Sequence, residues 1–144
     1  MNDLFQRFVT ERLRRALRGR LDVMAEPAVA LDHGGNVSMQ PDLMFRAPGG
    51  EVRHVADVKY KVAADARGRS GDYYQLLSYT TALDLPAGML IYCRRPGEAD
   101  ERAVTVRNAG TRLVVRSVDL TGSPEQVEHE ITALADVIAD AARC

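Results

Sequence analysis

The stretch NVSMQPDLMFRAPGGEVRHVADVKYKV, residues 36–62, reads as two β-strands joined by the turn cluster Ala47-Pro48-Gly49-Gly50. Its register decides which side chains meet. A two-residue turn at Gly49-Gly50 pairs residues whose numbers sum to 99 and sets Asp42 directly across from Asp57. A turn at Pro48-Gly49 lowers the sum to 97 and makes the two aspartates diagonal neighbours on one face. Only an odd-length loop or a bulge breaks the arrangement. Alternation puts Asp57, Lys59 and Lys61 on one face and Val52, Ala56, Val58, Tyr60 and Val62 on the other. On the partner strand Asp42 shares its side with Ser38 and Gln40, opposite Val37, Met39, Leu43 and Phe45.

Carboxylates directly opposed on neighbouring strands lie about 5 Å apart at Cβ, where two unit charges repel by ~3 kcal/mol at an effective dielectric of about 20. An exposed pair is screened by solvent; a pair in a site needs compensation. Mg²⁺, for which Mn²⁺ can substitute, takes oxygen ligands and is commonly held by one or two carboxylates, with water and substrate phosphate completing the shell. Lys59 would project toward the same phosphate, either to stabilise developing negative charge or to orient and deprotonate the attacking water. Lysine is also rare here: Lys59 and Lys61 are the only two, against seventeen arginines. A solvated positive charge is served as well by Arg, so the retained Lys59 points to a role for a compact ammonium. Lys61, one pleat further out, is expected on a nucleic-acid backbone or in solvent.

Outward from the hairpin the order is mixed α/β. Apolar residues Leu4, Phe5, Phe8, Leu13, Ala16 and Leu17 follow a helical period from Asp3 to about Arg18, with Gly19 as the stop. A weak strand is expected at residues 28–32, before the Gly34-Gly35 turn. SGDYYQLLSYTTALDL reads as a helix from Ser70 or Asp72, closed before Pro86, and AGMLIYCR as a buried strand. RAVTVR and RLVVRSVDL flank Asn108-Ala109-Gly110 as a second hairpin. Ser123, Pro124 and Gln126 form the start of a last helix to about Ala142.

With 144 residues, 46% hydrophobic and 27% charged, the chain has the size of one domain spanning residues 1–144 with its own core. No apolar run approaches the roughly 20 residues that cross a bilayer, and the arginine-rich start has no secretion-signal shape, so a cytoplasmic protein without a membrane partner is expected. A net charge of −1 advertises no uniform basic field, although residues 7–20 are basic and residues 125–140 acidic. Cys93 and Cys144 have no ligand-like spacing, nor do His33, His54 and His129. His54 falls on the face opposite Asp57 and is expected to be structural. Arg67 and Arg69, in the loop before the Gln75 helix, are candidates for phosphate contact or belong to a plain connector.

Pro41-Asp42, fourteen residues, then Asp57-Val58-Lys59 resembles the PD-(D/E)XK nuclease motif. The order helix, strand, strand, strand, helix, strand is similar to that superfamily's restriction-endonuclease-like core, a central mixed sheet flanked by helices. More narrowly, QPDLMF, DVKYK and DYYQLLSYTTAL followed by GMLIY resemble the nuclease domain of the McrC family of modification-dependent restriction proteins. That resemblance implies Asp42 and Asp57 as metal ligands, helped by the Val58 carbonyl, with Lys59 assisting the water or the transition state. It implies that Gln75 completes the site, with Tyr79 one turn later on the same face. Some members carry a glutamate in the first helix; here that position reads Phe5-Gln6, and the nearest glutamate is Glu11. Gln6 could still hydrogen-bond a water of the metal.

The expected function is Mg²⁺-dependent DNA endonuclease activity within restriction or anti-phage defence, by in-line hydrolysis of the phosphodiester. Two alternatives stand beside it: a non-catalytic relative that binds nucleic acid or protein, and a nuclease subunit that works only once an NTPase or sensor partner places it on DNA. Cutting both strands calls for two sites, which a homodimer would supply. The McrC region that engages a GTP-driven motor ring is not expected ahead of these blocks, so dependence on a motor is not expected by default.

Overall fold

A computed structural model describes residues 2–60, 70–93 and 101–143. Helix α1 (Asn2–Ala16) forms because Phe5, Val9 and Leu13 recur every fourth residue and bury one stripe, while Arg7, Arg14 and Arg15 stay exposed. It ends two residues earlier than periodicity suggests; Gly19 then turns the chain with φ +85°. Ten further elements follow: β1 (Asp22–Ala25), β2 (Val29–Ala30), β3 (Ser38–Met39), β4 (Leu43–Arg46), β5 (Val52–Lys59), α2 (Ser70–Ala82), β6 (Ala87–Cys93), β7 (Glu101–Thr105), β8 (Arg112–Val118) and α3 (Pro124–Ala141).

Six strands make one mixed sheet in the order β1-β4-β5-β6-β8-β7. The β5, β6 and β8 pairings are parallel and the remainder antiparallel. One face buries Leu43, Phe45, Ala56, Val58, Met89 and Ile91 against α1 and α3. The other packs Val55, Leu90, Tyr92, Leu113 and Val115 against Leu76 and Tyr79 of α2. This is the helix-flanked, restriction-endonuclease-like architecture expected from the sequence. At α3 the capping box forms as read, with Gln126 N–H donating to Ser123 Oγ and Ser123 N–H to Gln126 Oε1.

The decisive hairpin reaches its register by a different route. Ala47 N–H donates to the Glu51 carbonyl, and Gly50, at φ +94°, closes a three-residue loop rather than a two-residue turn. That odd loop pairs Arg46 with Val52, but a bulge at Arg53 follows and pairs Phe45 with His54, Met44 with Val55 and Leu43 with Ala56. The two irregularities cancel, so the sum of 99 holds as the strands approach the acids. His54 is buried beside Phe45, its centroid 5.9 Å away, and burial pulls its pKa down to about 4, leaving a neutral ring inside the core.

Three expectations need correction. The strand before the hairpin partner is Asp22–Ala25, not residues 28–32, of which only Val29–Ala30 is extended, paired with Ser38–Met39 in a separate two-stranded sheet. Residues 36–46 do not form one strand: Gln40-Pro41-Asp42 interrupts it, because Pro41 has no N–H to give a ladder. Face alternation therefore does not carry across the break, and Met39 packs on the α2 side instead of opposite Asp42's face. Val62, Lys61, Arg67 and Arg69 lie outside the described residues.

Gly88 sets how closely α2 approaches the sheet. A Cβ there would stand 2.7 Å from Thr80 Cγ2 and 2.9 Å from Leu76 Cδ1, both on fully buried side chains. Gly88→Val is expected to lower unfolding free energy by about 1–3 kcal/mol, as overpacking of a filled core does. Urea denaturation monitored by circular dichroism measures it; an unchanged midpoint would show that α2 has slack.

Candidate active site

Beyond the Leu43–Ala56 pair the β4–β5 ladder gives way to side chains. Val58 N–H donates to Asp42 Oδ2 at 2.8 Å, and Asp42 N–H donates to Asp57 Oδ1 at 3.2 Å. Each strand thus holds the other's aspartate by a backbone amide. Asp57 is 2% exposed, which rules out a solvent-screened surface pair. Burial first, then the hydrogen bond and charge of Asp57, push the Asp42 carboxyl up to about 7.

Lys59 Nζ lies 2.9 Å from Asp57 Oδ2, 3.1 Å from Gln75 Oε1 and 3.7 Å from Asp72 Oδ1. Burial pulls this ammonium's pKa down, but the hydrogen bond and charge of Asp57, with Asp72 and Asp42, outweigh it and the net shift is upward. Lys59 is therefore a fixed positive charge at neutral pH. The Tyr79 hydroxyl is pushed up by burial and by the charges of Asp57 and Asp42, with the neighbouring Gln75 side chain opposing the shift. The elements explain the convergence: Asp57 and Lys59 sit at the carboxyl end of β5, Asp42 immediately before β4, and Gln75 and Tyr79 one turn apart on α2.

Other sequence-derived candidates lie apart from this cluster. Glu11 is exposed and paired with Arg14 at 3.1 Å. Gln6 donates to Glu26 Oε1 at 3.2 Å, and Glu26, held at φ +52°, donates its own N–H to the Asp42 carbonyl. Gln6 thus reaches the acids only through Glu26, beside a cavity of about 350 Å³ that Gln6, Glu11 and Glu26 line. Sequence reading missed Asp72 and Tyr92, whose hydroxyl donates to Asp72 Oδ2 at 2.6 Å. Asp72 precedes Gln75 by three residues, a spacing that places both on one helix face and could have found it.

Would these residues suit a hard divalent cation? Among the described residues no group of three or more His, Cys, Asp or Glu side chains is arranged to hold a metal. Two carboxylates are the complement Mg²⁺ commonly uses, with other oxygens filling the remaining positions. The raised Asp42 carboxyl shows a pair short of positive charge. A strand residue points its N–H and C=O toward the same neighbour, so the Val58 carbonyl faces the Asp42 side, where Pro41 has no N–H to offer it. The donor set fits.

The sign of the pH effect follows. A carboxyl whose pKa rises on folding, from 3.8 to about 7, makes the folded state bind more protons, so it costs stability as pH rises through that window. The metal-free protein is expected to melt at lower temperature at pH 8 than at pH 5.5, Asp42→Asn to flatten that slope, and Mg²⁺ to raise the melting temperature of the wild type at pH 8. Melting curves in EDTA and in Mg²⁺ decide it; a parallel slope in Asp42→Asn would remove Asp42 as its source.

Comparison with known proteins agrees with this architecture. The model of the family described as McrBC 5-methylcytosine restriction system component matches residues 1–93. A chain in the refined half-complex from the tetradecameric assembly of Thermococcus gammatolerans McrB AAA+ hexamers with bound McrC superposes with TM-score 0.76 at 19% identity. That match covers 96% of this chain and 33% of the other, so the chain spans about a third of its structural relative. No curated protein matches. No helix among the described residues is long and apolar enough to cross a membrane. The stretch matched by the family model holds both strands and the helix that build the acid–lysine cluster, and this chain belongs to the McrBC 5-methylcytosine restriction system component family.

Proposed function

We propose that the chain is a divalent-metal-dependent nuclease that hydrolyses phosphodiester bonds of DNA in a restriction system. The observation that carries this is the Asp42–Asp57 pair, Asp57 buried and Asp42 half-buried, with Lys59 bonded beside it. Asp42, Asp57 and the Val58 carbonyl would hold Mg²⁺ or Mn²⁺, which when bound supplies Lewis acidity to the phosphate and acidifies an attacking water. Water adds to phosphorus, the bond to the leaving sugar oxygen breaks, and a phosphate monoester and a hydroxyl result. Lys59, charged and anchored, stabilises negative charge on the phosphate oxygens; its raised pKa favours this over a role as base. Gln75 orients the ammonium through its carbonyl oxygen. Arg7, Arg15 and Arg18 of the first helix and its turn make no ion pair among the described residues and are available for backbone phosphates, whereas Arg12 and Arg20 are tied to Glu128 and Asp136. Lys61, Arg67 and Arg69 stand as further candidates for DNA contact on sequence grounds.

A second reading has its own support: the structural relative is part of a complex of AAA+ hexamers with bound McrC, so the nuclease would be a subunit placed on DNA by an NTPase partner. The same acids and lysine serve both readings. A homodimer remains the simplest way for the chain alone to cut two strands.

Plasmid DNA incubated with wild type and with Asp57→Ala or Lys59→Ala, with Mg²⁺ or EDTA, separates the cases. Metal-dependent nicking by the wild type is expected, with each variant reduced at least about 100-fold, the scale of removing a transition-state charge contact. Activity only after an NTPase subunit is added would select the second reading, and equal nicking in every lane would sink both.

A further inference from the structure

Lys59 has more anionic company than neutralisation requires. Asp57 already pairs with it, yet Asp72 enters from the first turn of α2 with its two oxygens divided: Oδ2 accepts the Tyr92 hydroxyl at 2.6 Å and Oδ1 faces Lys59 Nζ at 3.7 Å. The parallel register sets Tyr92 beside Lys59, so hydroxyl and ammonium reach the same carboxylate from adjacent strands. Asp72 keeps 14% side-chain exposure and Tyr92 2%, so their short hydrogen bond is sheltered. The 3.7 Å separation is an ion pair too long for a good hydrogen bond, unlike the bonds to Asp57 and Gln75.

We propose that Asp72, clamped by Tyr92, is the positioning residue that retains the Lys59 ammonium when a divalent cation takes up the Asp57 carboxylate. This rests on the metal-dependent reading above. Two positive centres cannot share Asp57 on equal terms; a cation drawn to the acid pair loosens the 2.9 Å Lys59 contact. Without a second anion the lysine would swing out to solvent, since 22% of its side chain is already exposed. Asp72, bonded to Tyr92 of β6, offers that anion across β5 from β4, which Asp42 precedes, and Gln75, bonded to the same ammonium, limits the swing to a short pivot. Asp72 touches neither substrate nor metal in this arrangement; it acts through Lys59.

Two lysines in the whole chain make this measurable. Protein labelled with ¹⁵N-lysine in a Lys61→Arg background leaves one ammonium, observable by NMR while its acceptors slow proton exchange. The Lys59 signal is expected to persist in the wild-type site with and without Mg²⁺, and in Asp72→Asn to persist without Mg²⁺ and vanish with it. Survival in Asp72→Asn plus Mg²⁺, or loss from the wild-type site on adding Mg²⁺, overturns the proposal. In cleavage assays Asp72→Asn should lower kcat about 10–100-fold at unchanged KM for DNA, the range seen when a supporting partner of a site group is removed. Tyr92→Phe, which deletes one hydroxyl, should shift kcat the same way by less and covers the case of an unfolded Asp72→Asn. Unchanged kcat in both, or a purely KM effect, overturns it. If the Asp42 and Val58 amide signals of a second, uniformly ¹⁵N-labelled sample ignore Mg²⁺, the metal-dependent reading itself fails; if they respond while both variants behave as wild type, only the role of Asp72 is lost.

Discussion

Two backbone amides, Val58 on Asp42 and Asp42 on Asp57, fix both acids where the β4–β5 ladder stops. This exchange depends on register, because a slip of one residue along β5 would send Asp57 to the other face, against Leu43, Phe45, Met89 and Ile91. The register in turn depends on a compensation. A three-residue loop shifts the pairing by one and the bulge at Arg53 shifts it back, so the strand arrives at Asp57 in phase. Pro41 completes the arrangement by keeping β4 from starting before Leu43, one residue past Asp42, which frees the Asp42 carboxylate to take the amide a ladder would have used. The proline and the aspartate beside it work as one unit.

A second constraint comes from the opposite side of the site. Gly88 lets Leu76 and Thr80 seat against β6, and with them the face of α2 that carries Asp72, Gln75 and Tyr79. The sheet supplies the acids and the ammonium; the helix supplies the groups that hold the ammonium still. Packing at Gly88 and chemistry at Lys59 are thereby linked through a helix only 13 residues long.

Much of this was legible from residue order alone, and the failures have physical causes. The face shared by Asp42, Asp57 and Lys59 followed from alternation and turn chemistry, although the turn itself was misread, because two shifts of opposite sense leave no trace in the pattern. Strand β1 was missed because Asp-Val-Met-Ala is too short for periodicity to speak and Val23 is its one buried residue. Asp72 was read only as a possible start of the helix, which hid its place three residues before Gln75. Tyr92 looked like one more apolar residue of a buried strand. Glu26, at a positive φ without being glycine, belongs to no pattern; tertiary contacts from Gln6 and Gln40 hold it.

The charge balance ties these parts together and returns to the rarity of lysine. Asp42, Asp57 and Asp72 bring three carboxylates to one ammonium, an excess of two negative charges in a partly buried space. Asp42 relieves part of it by holding a proton up to about pH 7; a dication would relieve all of it and contribute Lewis acidity besides. The surroundings of the lysine are then specific. Three acceptor oxygens surround a single nitrogen: those of Asp57 and Gln75 at hydrogen-bond distance and that of Asp72 as an ion pair at 3.7 Å. A guanidinium spreads its charge over a plane and fixes its donors in a fork, and could satisfy two of those acceptors only by abandoning the third. In a chain that uses arginine nearly everywhere else, the ammonium persists at Lys59 because its neighbours converge on a point.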